Sequence, residues 1–173
     1  TVILNLFGFC YASILPVWAV ENFQSDPVFV GLLASAEGAG AFFGAIILAF
    51  WARPKHFQRL FLAGSVFFLG GLLIAAKLTF YSAALLALFG AGVGIAAFGA
   101  MQSTLVLKEA PHEFRSRVMG VLAACIGAAP FGVLNIGFIA ELTSAGSAIA
   151  FSSALGLGLI IFVTWRVSRP PIG

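Results

Sequence analysis

An all-α, polytopic membrane protein of six transmembrane helices is the fold this sequence predicts, and three observations carry the prediction. Six apolar stretches fill the 173-residue chain almost end to end. Mean hydropathy is +1.10 and only 9% of residues are charged, where a soluble domain carries about 25%. Eight of the nine Lys and Arg residues fall on one side of the topology those stretches imply. The net charge of +3 therefore reports orientation in a bilayer, and nucleic acid is not needed to explain it.

The apolar runs cover roughly 1–22, 29–51, 60–79, 82–106, 118–140 and 147–165. Each is near the ~20 residues that a helix needs to cross a ~30 Å hydrocarbon core. Helices are required because isolated strands would leave backbone N–H and C=O groups unpaired in lipid. A barrel would show alternating segments of ~10 residues, and nothing in the chain alternates in that way.

Along the chain, the first span begins at once with Thr1, without a basic leader or a small-residue cleavage site. That excludes a signal peptide and reads as a chain that starts inside a longer protein. Pro16 marks a kink in this span, and Cys10 is a small packing residue. Ser25-Asp26-Pro27 reads as an N-cap followed by proline in the first turn of the second span. Gly40 and Gly44 give that span a small-xxx-small face. The following loop carries Arg53, Lys55 and Arg59, and Lys77 closes the third span. The fourth span has Gly90 and Gly94 as a second close-packing face, with Gly99 beyond. Gly90-Ala-Gly-Val-Gly94 is no phosphate loop, because no strand precedes it and it lies in an apolar span. The fifth span contains Cys125, a second kink at Pro130, and Asn135. The sixth ends in Arg166 and Arg169.

Trp18, Trp51, Trp165 and Tyr81 lie at predicted span ends, where an interfacial aromatic belt is expected. With the basic loops on the cytoplasmic side, both ends of the chain face the cytoplasm. His56 and His112 are the only histidines, and both fall in loops, so neither a metalloprotease motif nor a Ser-His arrangement can form. Metal-ligand spacing is lacking as well, so no cofactor is expected and an enzyme is not the reading.

The most polar stretch is Lys108-Glu-Ala-Pro111-His-Glu113-Phe-Arg115-Ser-Arg117. Read by chemistry alone it is a solvated turn, in which Pro111 ends the fourth helix and Glu113 stands four residues from Arg117, the spacing of a weak helical ion pair. Pro111 to Gly120 also resembles the P-x-E-x-R-G-R-V-x-G element of the major facilitator superfamily. There it lies between the fourth and fifth helices of the carboxyl-terminal six-helix half. Val30 to Gly44 is similar to the glycine-studded second helix of the same half, and Pro130 to Gly146 resembles its fifth helix and the turn into the sixth. Within the family, the loop element and glycine-rich second helix look most like bacterial enterobactin and macrolide exporters. Two departures stand out: Ser116 replaces the usual Gly, and Ala52 replaces the acid that normally partners Arg53 in a gating latch.

The resemblance implies two inverted three-helix repeats, a partner amino-terminal half, and alternating access in a bacterial inner membrane. It also implies that the first and fourth helices line a substrate cavity for a small, partly lipophilic compound. Asn5, Tyr11 and Gln102, with Asn135, are the polar candidates for that cavity, and Phe7, Phe9, Phe89 and Phe98 could add an aromatic wall. Each polar group could equally be an interhelical hydrogen bond, worth about 0.6 kcal/mol on average; each ring could equally be packing. Glu37 is the sharpest single residue. It lies ~13 Å along the second span from Val28 by the helical rise, near the bilayer centre. A charge there costs at least ~2.5–3.5 kcal/mol on insertion scales, so such residues usually mark ion or proton routes. An acid that takes up and releases a proton on alternate faces is what proton-coupled antiport requires; a protonated acid bonded to a neighbouring helix is the other reading. The rival to a transporter is a stand-alone six-helix channel or membrane assembly subunit.

Overall fold

A computed structural model describes residues 1–167. Arg169, expected on the basic side, lies outside the described residues. Eight α-helices follow in order: α1 (Val2–Phe7), α2 (Leu15–Phe23), α3 (Pro27–Trp51), α4 (Phe57–Ala75), α5 (Tyr81–Glu109), α6 (Arg115–Ile126), α7 (Ala129–Leu142) and α8 (Ala145–Val167). Among the described residues there is no strand. Five helical stretches are long and apolar enough to cross a membrane, and α1 with α2 makes a sixth bent by 55°. The chain is a membrane-embedded helical bundle.

The broken spans have local causes. Between α1 and α2 the chain tightens into a 3-10 turn at Phe9–Ser13. Pro16 sits in the first turn of α2, where its missing N–H and its ring cannot continue a helix from the preceding turn. The same rule separates α6 from α7: Pro130 occupies the first turn of α7, and the helix before it stops at Ile126. Asp26 is the N-cap of α3 and Pro27 its first residue, as the sequence predicts, although the Asp26 side chain makes no capping bond.

Several helix ends differ from the apolar runs. Residues 57–59, 107–109 and 115–117 are helical although they lie outside the apolar runs and include Gln58, Arg59, Lys108, Glu109, Arg115 and Arg117, because a membrane helix continues past the hydrocarbon into the headgroup zone. The third span stops at Ala75, four residues before its apolar run does. Leu78 instead turns, and its carbonyl accepts a 2.8 Å hydrogen bond from Asn22 Nδ2. Trp18 is no belt residue: it is buried, with its ring edge-on to Phe23 at 5.3 Å. Trp51 and Trp165 are exposed as expected.

Packing rests on glycines. α5 lies between α3 and α4. On one side, a methyl added at Gly40 would collide with the Phe89 carbonyl, one at Gly92 with the Glu37 carbonyl, and one at Gly44 would lie 2.9 Å from the Val93 Cα. On the other, a methyl at Gly64 would lie 2.7 Å from the Gly94 carbonyl, and one at Gly94 2.6 Å from the Phe68 nitrogen. Gly90, by contrast, faces a groove beside the Phe67 ring and Gly99 faces open space, so the second close-packing face is built from Gly92 and Gly94. The first and fifth spans meet in the same way: a methyl added at Gly132 would lie 2.6 Å from the Leu6 carbonyl. α8 packs on α4, on α7 and on the first span. The second and fifth spans are the least buried, with 22% and 17% of their apolar windows enclosed against 39% for the fourth and sixth.

Because α5 cannot back away from α3, Gly92→Ala should lower thermal stability by about 1–3 kcal/mol through overpacking. Gly38→Ala, on the open side of α3 where nothing lies within 4 Å, should stay within about 0.5 kcal/mol. Parallel melting curves in one detergent check both.

Candidate functional site

The loops lie at two ends. At one, Glu21 Oε2 accepts a 3.1 Å hydrogen bond from the Ala145 N–H, Asn22 bonds Leu78, and Tyr81 Oη donates to the Phe29 carbonyl at 2.8 Å. At the other, Lys108 Nζ donates to the Pro54 carbonyl at 3.4 Å and pairs with Glu109 at 3.5 Å. Arg53, Lys55, Arg59, Lys108, Arg115, Arg117 and Arg166 gather at this second end, whereas Lys77 is the one Lys or Arg at the first among the described residues.

Glu37 is the eleventh of the 25 residues of α3. The helix buries a stripe of Leu33, Ala36, Gly40 and Gly44 against α5, and Glu37 stands on the flank of that stripe, half-buried. Its backbone carbonyl is pressed against Gly92. Its carboxyl makes no hydrogen bond and no ion pair among the described residues. The next residue, Gly38, has open space beside it. The acid thus sits where the α3–α5 seam opens onto the exposed face of α3.

The other candidates are dispersed. Asn5 is buried, but its Nδ2 donates to the Thr1 carbonyl of its own first turn at 3.1 Å. Tyr11 is buried at the first-span break with its ring edge toward Phe68 at 6.3 Å, and its hydroxyl has no partner. Gln102 on α5 likewise has a buried, unpartnered Oε1. Asn135 is exposed on α7, on the same open side as Phe131, Leu134 and Phe138. The aromatic set separates: Phe9 packs on Phe68 at 5.1 Å and Phe98 at 5.9 Å, inside the core, while Phe89 meets Phe43. Surface grooves of about 620 and 550 Å³ are lined by other residues, the first by the ends of α4, α7 and α8 and the second by α4 and α5.

In the basic loop, Pro111 caps a 3-10 turn at His112–Phe114, and this displaces the expected ion pair. Glu113 lies in that turn and not in α6, so it does not share a helical face with Arg117. Arg117 instead stands 5.9 Å from the Phe114 ring centroid, and Arg115 Nε bonds the Ala110 carbonyl at 3.3 Å. Arg53 is exposed ahead of the Pro54–His56 turn, and Gly120 has no neighbour within 4 Å of an added methyl. Both cysteines are free. Among the described residues no cluster of His, Cys, Asp or Glu could hold a metal ion. Comparison with known proteins gives no match, whether with family models, curated proteins or solved structures.

Two features were missed by sequence reasoning: the Glu21–Ala145 bond and the aromatic corner of Phe23, Phe29 and Tyr81. The only sequence signal was the polar stretch around Glu21 to Asp26, in which Ser25-Asp26-Pro27 reads as a helix start.

An acid without a partner gains nothing from its charge in the folded bundle. Glu37→Gln should therefore leave the melting temperature unchanged or raise it. A fall corresponding to more than about 1 kcal/mol would mean that the carboxyl bonds a group in the bundle.

Proposed function

We propose that this chain is the carboxyl-terminal six-helix half of a major facilitator transporter, exporting a small, partly lipophilic compound in exchange for protons. The pairing of spans carries the reading. The first packs on the fifth and the second on the fourth; the third meets the fourth as the sixth meets the first; the third and sixth touch each other. Exchanging spans one to three for four to six reproduces these pairs, although the contacts around the fourth span are the more extensive and the fifth–sixth contact has no comparable counterpart between the second and third. Two inverted three-helix repeats produce this relation. The glycines support it too. Gly40 and Gly132 receive a backbone carbonyl from the fourth and first spans respectively, and Gly64 and Gly156 stand at the same sequence offset as that pair.

In this reading the poorly buried second and fifth spans face the amino-terminal half. The substrate path runs between the halves, and transport is the rocking of one against the other. Glu37, at the open edge of the second span, is the proton carrier. The positive-inside rule puts the basic end and both ends of the chain in the cytoplasm, in a bacterial inner membrane. The basic loop element and Arg53 lie at that cytoplasmic face.

The test is efflux of lipophilic dyes from inverted vesicles carrying both halves, with Glu37→Gln alongside at equal expression. The expected result is pH-gradient-driven efflux that the variant abolishes. Unchanged efflux in the variant reduces Glu37 to a structural acid. No efflux from either, across a broad panel, sinks the exporter reading and favours import, or a six-helix channel or assembly subunit.

A further inference from the structure

The end opposite the basic loops carries an arrangement that the transport reading does not use. Phe23 closes α2, Phe29 lies in the first turn of α3, and Tyr81 opens α5. Tyr81 stands nearly perpendicular to both phenylalanines, with centroid separations of 5.7 and 5.6 Å and interplanar angles of 89° and 84°. Its hydroxyl is fixed by the bond to the Phe29 carbonyl, so the ring cannot swing away. These three rings, with Gln24, Ser25 and Asp26, line an open pocket of about 290 Å³.

Two further observations concern the short segment that closes the pocket. Gln24 is the one described non-glycine residue with a positive φ, at 50°. This left-handed turn carries the chain directly from the end of α2 into Asp26. Asp26 occupies the N-cap of α3, yet its carboxylate bonds neither the helix nor any other described group. A cap residue that does not cap leaves an anionic oxygen pair free at the pocket.

We propose that this corner binds an alkylammonium cation, the rings receiving its methyl groups and Asp26 its charge. Ring faces carry negative potential and attract such cations, quaternary ammonium above all. The carboxylate is needed as well as the rings, because the N-termini of α3 and α5 both approach the pocket and their partial positive charge opposes a cation. The carbonyl end of α2 works in the opposite sense. The cation has two available sources: a soluble quaternary amine, or the choline headgroup of a neighbouring lipid at this membrane surface. This inference is independent of the transport reading.

The test uses the purified chain in nanodiscs of phosphatidylglycerol, with binding of choline read by saturation-transfer NMR of its methyl protons. Saturable binding is expected, with a dissociation constant in the millimolar range. Asp26→Asn should weaken it by about two- to fivefold; Asn is as good an N-cap as Asp, so the fold is retained. Tyr81→Leu should weaken it comparably. The uncharged isostere 3,3-dimethylbutanol should not compete. Nanodiscs of phosphatidylcholine separate the sources: lost choline binding identifies the headgroup as the occupant, and retained binding identifies the soluble amine. No saturable signal, equal binding by Asp26→Asn, or equal competition by the neutral isostere overturns the proposal.

Discussion

Lipid tails solvate a leucine as well as another leucine does, so helices in a bilayer are not driven together by burying apolar side chains. What holds this bundle is the approach of backbone to backbone where side chains are absent. α5 is the member on which this falls. Within three residues it turns Gly92 toward α3 and Gly94 toward α4, and each partner answers with glycines of its own, Gly40 and Gly44 on α3 and Gly64 on α4. Dispersion between close-packed backbones is individually small but summed along the seam, and it fails abruptly when a methyl is inserted. The depth and rotation of α3 follow from this seam, and so does the place of its acid.

Glu37 is held by its backbone and not by its carboxyl. The carbonyl is locked against Gly92, while the side chain is left at the edge of the seam with no donor among the described residues. A bilayer tolerates such a group only if it stays neutral or if something outside the six helices meets it. A simple packing role accounts poorly for that arrangement, since alanine or leucine would serve at the flank of the stripe. In the proposed reading it is the group whose proton comes and goes where the second span is open.

Much of the fold was legible in the sequence because lipid imposes strong rules. A run of about 20 apolar residues has few alternatives, Asp26-Pro27 announces a helix start, and Pro16 and Pro130 announce breaks. What was illegible depends on rotation about helix axes. Gly90, Gly92 and Gly94 look equivalent in a string, but successive residues turn by about 100° on a helix, and only tertiary contact decides which glycine meets which neighbour. Trp18 was misread for the same reason: nearness to a span end suggests the interface, while its side of α2 turns it into the core. The pairing of Glu113 with Arg117 assumed one continuous helix, and Pro111 with its 3-10 turn interrupts it. The candidate site was legible only in part. Glu37 was visible as an acid amid apolar residues, whereas the aromatic corner joins three separate spans and no local spacing reveals it.

The two ends of the bundle are built differently. At the end poor in positive charge, three cross-span hydrogen bonds and a chain of perpendicular rings from Trp18 through Phe23 and Tyr81 to Phe29 tie five spans together. At the basic end, Lys108 Nζ reaches from the end of α5 to the Pro54 carbonyl at 3.4 Å, while Arg115 bonds the Ala110 carbonyl of its own segment. Like charges gathered on one surface also repel, by an amount that salt and anionic lipid reduce. Between the two ends sits the break in the first span, where the chain leaves the α-helix at Gly8 and resumes it at Leu15. A bundle fastened at one end, broken within its first span and crowded with like charges at the other is tied less tightly at the basic end.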